Sequence, residues 1–184
     1  MRIIAGLYKV FPLQSFQGKK IRPTPSKVRE AVFDILGFKV IESDFLDLFA
    51  GTGAIGIEAL SRGAKRVTFV EINGHAIELI KSNLMKINQN DFSNIINNNY
   101  MRSLKMLNFQ QKKFDIIFLD PPYDKNITQK TLYEIDKNYI LKRNSIIIAQ
   151  HQINENIQGN FQNLSCLKEK RYGKSKITLF TYKE

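Results

Sequence analysis

The segment Asp47-Leu-Phe-Ala-Gly51-Thr-Gly53-Ala-Ile-Gly56 constrains the fold more than any other part of the sequence. An apolar run that enters a glycine turn and passes at once into a helical pattern reads as strand, tight turn and helix start. Its glycines have the G-x-G-x-x-G spacing in the context that spacing requires. Gly51 permits the turn, Gly53 lets backbone approach a ligand, and Gly56 lets the helix pack close to the strand. A chain built around such a unit is an α/β protein with its ligand at the carboxyl edge of a sheet.

The rest of the sequence alternates in the same way. Residues 45–49, 66–70, 94–96, 114–119 and 145–149 read as strands. Helical apolar stripes lie between them at 54–62, 74–87, 102–107 and 127–139. An earlier helix is predicted with Thr24 as N-cap, Pro25 at its first position and Gly37 as its stop. Residues 163–167 and 176–182 read as a final antiparallel pair. Residues 1–23 form a separate N-terminal β-hairpin extension in this reading, with β-formers at 2–6 and 8–11. Residues 24–184 form the main domain. The Asn-rich stretch 88–99 reads as a loop around the short strand at 94–96. Together these elements predict a doubly wound, mainly parallel sheet.

The acidic residues that flank the glycine turn point to its ligand. Glu71 ends the next strand, where a carboxylate accepts both hydroxyls of a ribose. A dinucleotide would put its pyrophosphate on the helix N-terminus, and Asp47 would repel it. S-adenosylmethionine has no phosphate and carries a cationic methionyl end that suits Asp47. The residues tilt towards S-adenosylmethionine and leave a dinucleotide open.

A second motif, Asp120-Pro121-Pro122-Tyr123, follows the apolar run 114–119. Two prolines cannot continue a strand or enter a helix interior, so the chain turns there. The turn offers a carboxylate, rigid carbonyls and an aromatic face at the sheet's carboxyl edge. That set grips a flat ring bearing an amine. Asp120 and the Pro121 carbonyl accept the amine hydrogens, and Tyr123 stacks on the ring. With the glycine loop before it, the motif matches class I methyltransferases that modify exocyclic amines of bases.

Charge says what carries the base. The 184 residues have a formal net charge of +11, which favours a polyanionic partner, nucleic acid ahead of a membrane surface. Compositional bias accounts for Lys in place of Arg and for the Asn tracts, but not for the shortage of Asp and Glu. Hydrophobic content of 43% and charged content of 24% fit a soluble globular domain. No apolar run is long enough to span a membrane, and the N-terminus lacks the pattern of a signal peptide. Cys166 is the only cysteine, so a reducing cytoplasm is expected and no Cys-based metal site is. His75 and His151 have no metal-like neighbours in sequence, and no metal is expected. Glu58 and Cys166 read as structural, the cysteine packed in an apolar strand. Arg29 and Glu30 read equally as an exposed ion-pairing couple. Around the turn at Tyr172-Gly173, the basic residues Arg171 and Lys174 are candidate RNA contacts.

Several of these segments together resemble one family. Arg2-Ile-Ile-Ala-Gly6, Arg22-Pro-Thr24, Arg29-Glu30, residues 47–64, Asp120 to Tyr123 and Lys170-Arg-Tyr-Gly-Lys174 are similar to RsmD-family proteins. These are bacterial methyltransferases that act on a guanine exocyclic amine of 16S ribosomal RNA. The resemblance implies a seven-stranded, Rossmann-like class I methyltransferase fold with a small N-terminal β-hairpin, and S-adenosylmethionine as cofactor. It implies cofactor contacts from Thr24, from the loop Phe49-Ala50-Gly51-Thr52-Gly53, from Glu71 and from Asn99. The implied substrate is 16S rRNA in an assembled or assembling small subunit, acted on by a monomer. The chain departs from the family at residues 7–13, which are largely apolar where the family has an arginine-rich hairpin. Lys19, Lys20 and Arg22 then become the expected phosphate ligands. Two other classes stay open: a DNA adenine or cytosine amino-methyltransferase, and a non-catalytic RNA-binding assembly factor. The absence of an evident helix-turn-helix weighs against the first, and the intact Asp120, Tyr123, Gly51, Gly53 and Glu71 against the second.

Overall fold

The computed structural model describes residues 1–15, 25–122, 126–157 and 159–183. Among them seven strands form one sheet in the order β3-β2-β1-β4-β5-β7-β6. They are β1 (Asp44–Asp47), β2 (Arg66–Glu71), β3 (Ser93–Asn97), β4 (Phe114–Leu119), β5 (Leu141–Gln152), β6 (Leu164–Tyr172) and β7 (Ser175–Tyr182). The first five run parallel to one another, and β7 pairs antiparallel with both β5 and β6. The strand order reverses between β1 and β4, which makes their carboxyl ends the switch point where such sheets bind ligands.

Helices cover both faces. On one side α1 (Ser26–Leu36), α2 (Ala54–Ser61) and α3 (Gly74–Lys86) bury Val32, Phe33, Ile57 and Ile80 against Phe45, Phe69, Phe118 and Ile148. On the other, α4 (Tyr100–Phe109) and α5 (Ile127–Lys137) bury Leu104, Leu107, Leu132 and Ile135 against Leu46, Val70, Ile117 and Ile147. Adjacent residues of one strand thus go to opposite cores, as period-two alternation requires. Buried on both faces, the central strands are apolar throughout, which makes them visible in the sequence.

Some boundaries differ from expectation. The first helix begins at Ser26, with Pro25 as a cap residue that makes no side-chain capping bond; Thr24 lies outside the described residues. The short strand expected at 94–96 is the edge strand β3 at Ser93–Asn97, and a 3-10 turn precedes it in the stretch expected as a loop. Strand β5 starts at Leu141, and its register with β4 shifts between Phe114 and Ile116. Strand β6 runs on through Lys168-Glu-Lys-Arg171 as an exposed edge, and Cys166 on it is exposed instead of packed. No helix of the described residues is long and apolar enough to cross a membrane.

Among the described residues the N-terminal hairpin closes with a single antiparallel bridge, Arg2 to Pro12, in place of two strands. Its backbone donors explain this. The Ile4 and Ala5 N–H groups donate to Glu58 at 2.8 and 3.0 Å, so they are not free to pair across a hairpin. Ile3 and Leu13 are buried in the core of the α1–α3 face. The Gln14 N–H donates to Asn83 on α3.

Candidate active site

The carboxyl ends of β1, β2 and β4 deliver three acids to one place. Asp47 ends β1 and Glu71 ends β2, while Asp120 directly follows β4. By alternation each projects on the face carrying Phe45, Phe69 and Phe118, the side covered by α1, α2 and α3. All three line a cleft of about 1300 Å³ that also takes in Phe49, Gly51, Asn99, Pro121 and the β6–β7 turn at Tyr172-Gly173-Lys174.

The glycine loop is shaped by contacts that larger residues would break. Gly53 has φ +73°, the left-handed region, and a Cβ there would lie 2.8 Å from Ile80 Cγ1. At Gly56 a Cβ would meet Phe69 Cε1 at 2.2 Å, so helix α2 sits against β2 only because the position is glycine. The Gly56 N–H, in the first turn of α2, donates to Asp47 Oδ2 at 3.1 Å. Asp47 therefore ties loop and helix together from beneath.

Glu71 is held rigidly. Its Oε2 accepts the Gly51 N–H at 2.7 Å, and its Oε1 accepts the N–H groups of Ile72 and Asn73, both at 2.8 Å. These three bonds aim the carboxylate and leave it lone-pair capacity for a ligand. Asn99 caps α4 by accepting the Arg102 N–H at 3.0 Å, and Asn98 accepts the Asn99 N–H at 2.9 Å. Phe49 and Tyr100 pack ring on ring at 5.2 Å as an apolar wall. Thr52 and Ala50 are buried within the loop.

The electrostatics fit a cation. Burial pushes the Asp47 carboxyl up to about 7, and the charges of Glu71 and Asp120 add to the rise; the Gly56 N–H opposes it. On a chain of net charge +11 this is a locally acidic cleft. An ammonium or sulfonium entering it offsets the repulsion, whereas a pyrophosphate adds to it.

Sequence reasoning placed Asp47, Phe49, Ala50, Gly51, Thr52, Gly53, Glu71, Asn99, Asp120, Pro121 and Pro122 together, and all of them line the cleft or form its loop. Lys174 reaches the rim, while Arg171 is exposed on β6, where its cross-strand partner is Lys176. Tyr123, Lys19, Lys20 and Arg22, like Thr24, lie outside the described residues. Sequence reasoning missed Asn98, Tyr100 and Gln150, which also line the cleft. Asn98 and Tyr100 flank Asn99 and were within reach of the sequence pattern; Gln150 lies behind an apolar run and gave no signal. Arg29 is fully buried, so it is no exposed ion-pairing residue. His75 is exposed, and His151 is buried with Nε2 2.8 Å from Thr178 Oγ1.

Comparison with known proteins places this site in a family. The family model described as conserved hypothetical protein 95 matches residues 1–181. A Haemophilus influenzae protein named ribosomal RNA small subunit methyltransferase D is 34% identical over 174 residues, covering 94% of this chain and 89% of its own. The chain belongs to the RsmD family. A putative rRNA methyltransferase of Bacillus subtilis is 33% identical over 180 residues, 98% of each chain. Among solved structures, a putative methyltransferase from Escherichia coli superposes with a TM-score of 0.86 at 27% identity, covering 100% of this chain and 98% of the other. The fold of this RsmD-family chain is accordingly the Rossmann-like class I fold of S-adenosylmethionine-dependent methyltransferases.

Proposed function

We propose that the chain methylates the exocyclic N2 amine of a guanine in 16S rRNA, acting as a cytoplasmic monomer on the small ribosomal subunit. The observation that carries this reading is the position of Asp120-Pro121. It shares one cleft and one sheet face with the glycine loop and Glu71, so a base amine held there lies beside the cofactor. The relatives' names support an RNA substrate.

S-adenosylmethionine supplies an activated methyl group. Glu71, with one lone pair of its Oε2 left by its three backbone bonds, would accept a ribose hydroxyl, Asn99 and Phe49 would flank the adenine, and Asp47 would face the cationic end. The remaining work is positioning and electrostatics. The amine lone pair of guanine is delocalised into the ring. Asp120 and the Pro121 carbonyl accept the amine hydrogens, which favours a pyramidal nitrogen with its lone pair free. Asp120 then takes the proton once the nitrogen is cationic, so no strong base is required. Tyr123 stacks on the base, which must leave any helix to reach the pocket. Lys19, Lys20, Arg22, Arg171 and Lys174 bind phosphates around it.

The direct experiment offers methyl-labelled cofactor with small subunits, naked rRNA and duplex DNA, and identifies the labelled base. Label on guanine N2 of 16S rRNA is expected; label confined to DNA would replace the reading with the DNA amino-methyltransferase. Base stacking is worth roughly 1–3 kcal/mol, so Tyr123→Ala should slow transfer about 5- to 150-fold with cofactor affinity near normal. Equal loss of both would remove Tyr123 from the base.

Asp47 gives a pH prediction. Its folded value, about 7, lies above its ordinary 3.8, so the folded chain binds an extra proton between those values. Its contribution to stability is full below about pH 4 and is lost as pH rises to about 7. Asp47→Asn keeps an acceptor for the Gly56 N–H and has no charge to bury. The variant should melt a few degrees above the parent near pH 8, the gain shrinking towards about pH 5. Cofactor affinity should move the opposite way. A cationic ligand favours ionised Asp47, so the parent binds more tightly at about pH 8 than at about pH 6, and the variant binds weakly at both. Parallel melting curves at every pH would show that Asp47 carries no such strain.

A further inference from the structure

Gln150 is a buried polar side chain with no assigned purpose, one of two on β5, with Ser145, that have a side-chain oxygen making no hydrogen bond among the described residues. It is 2% exposed on β5, and its Oε1 accepts no hydrogen bond from the described residues. A buried carbonyl without a donor costs stability, and native chains seldom keep one without a use. Its neighbours on the sheet are apolar: Ile148, two residues earlier on the same face, and Ile177, its cross-strand partner on β7.

On the other side lies the reaction site. The last paired residues of β4 and β5 are Leu119 and Ala149, so Asp120 and Gln150 occupy the next positions of adjacent strands. Phe118 and Ile148, two residues before each, both belong to the core under α1–α3. Asp120 and Gln150 therefore project on that same face. Both line the cleft. Adjacent strands lie about 4.8 Å apart, a spacing on the scale of the hydrogen-bonding edge of one base.

We propose that Gln150 is a specificity-determining residue that accepts the N1–H of the target guanine while Asp120 and the Pro121 carbonyl hold its N2 amine. Chemistry selects the base. In guanine two ring nitrogens flank the exocyclic amine: N3, an acceptor, and N1–H, a donor that only this base offers beside its amine. In adenine and cytosine the corresponding ring nitrogens, N1 and N3, are acceptors. Turned with its carbonyl oxygen to the amine site, Gln150 is complementary to the N1–H side of guanine and to neither of the other two amine-bearing bases. The adenine and cytosine edges would leave it unsatisfied and set a lone pair against it.

The inference rests on the functional reading above, and the test separates the two. The parent chain, Gln150→Leu and Gln150→Glu are each given unmethylated small subunits and labelled cofactor, with transfer rate, labelled base, cofactor affinity and melting temperature recorded. Gln150→Leu removes the acceptor and should lower kcat/KM for guanine by about 10- to 100-fold. Cofactor affinity should hold. Melting temperature should stay level or rise, because a buried unsatisfied carbonyl is gone; a folding defect would lower it. Gln150→Glu keeps an acceptor oxygen whether or not its carboxyl is ionised, and should retain part of the transfer that Gln150→Leu loses. Guanine methylation by the parent with undiminished transfer by Gln150→Leu overturns the inference alone. Equal loss in both variants overturns the acceptor role. No guanine methylation by the parent overturns the functional reading, and the inference with it.

Discussion

Asp120→Ala is expected to lower methyl transfer by about 10³-fold or more, with cofactor affinity close to that of the parent. Removing one preorganised polar group aimed at a reacting centre costs about 10²–10³-fold in other enzymes. Asp120 has two such tasks in the proposed mechanism, holding the amine hydrogens and receiving the proton, so the upper end applies. Cofactor affinity should change little, because the cleft loses one charge that faces the cation while Asp120 is also one of the charges that raise the Asp47 carboxyl. Its removal lets Asp47 ionise more readily and face a cation. Asp120→Asn separates the tasks: it still accepts one amine hydrogen but cannot take the proton, and an intermediate loss is expected. Single-turnover rates with bound cofactor give the transfer step, and calorimetry gives the affinity. Near-parental turnover by Asp120→Ala would dismiss the mechanism. A matching collapse of affinity would instead move Asp120 to cofactor binding.

The elements that build the site are the most regular in the chain, and they are the ones legible in its sequence. Strands β1, β2 and β4 are buried on both faces, so they appear as apolar runs, and each ends at a residue that breaks the pattern: a glycine turn, Glu71, or two prolines. What stayed hidden was hidden for physical reasons. The strand β5 extends back through Lys142, Arg143 and Asn144, which read as loop. Lys142 is drawn into the sheet edge by Asp44 and Asp115 at 2.6 and 2.7 Å, partners far apart in sequence. The Lys168–Arg171 stretch gives no strand pattern because β6 is an edge strand with little to bury. Gln150 has no periodic signature, since one polar residue after Ile146-Ile-Ile-Ala149 looks like the end of a strand. Only register shows that it stands beside Asp120. Buried charge is the hardest case. Arg29 has the appearance of a surface residue yet is fully buried, and Glu58, which reads as structural, is fully buried with it.

That pair carries the largest expected change in stability. Glu58 is 0% exposed on α2, and its carboxylate accepts the N–H groups of Ile4 and Ala5 and the Nε–H of Arg62 at 2.9 Å. Arg29, also 0% exposed, donates through Nη2 to the Arg2 carbonyl at 2.9 Å. Burial holds the Arg29 guanidinium below its ordinary value, and the Glu58 charge is the chief force opposing that. The two charges therefore fasten residues 1–5 to α1 and α2. Glu58→Ala leaves two backbone donors without an acceptor and a buried guanidinium without its counter-charge. Glu58 is ion-paired with Arg62 and acts on Arg29 through its charge; leaving a buried charge uncompensated costs about 3–5 kcal/mol, a large share of the roughly 5–15 kcal/mol that holds a domain folded. For a chain of this size that is a fall in melting temperature of roughly 10 °C. The double variant Arg29→Met/Glu58→Leu should recover part of it, because removing both charges removes the desolvation cost as well. The Ile4 and Ala5 donors remain unpaired in that variant, so recovery should be incomplete. Thermal melts of the two single variants and the double give the coupling directly. A Glu58→Ala protein melting with the parent would mean that Ile3 and Leu13 packing and the hydrogen bonds to Ser61, Arg29 and Asn83 suffice to hold the N-terminal segment. A double variant no better than Glu58→Ala would mean that the Arg29 charge is not what Glu58 neutralises.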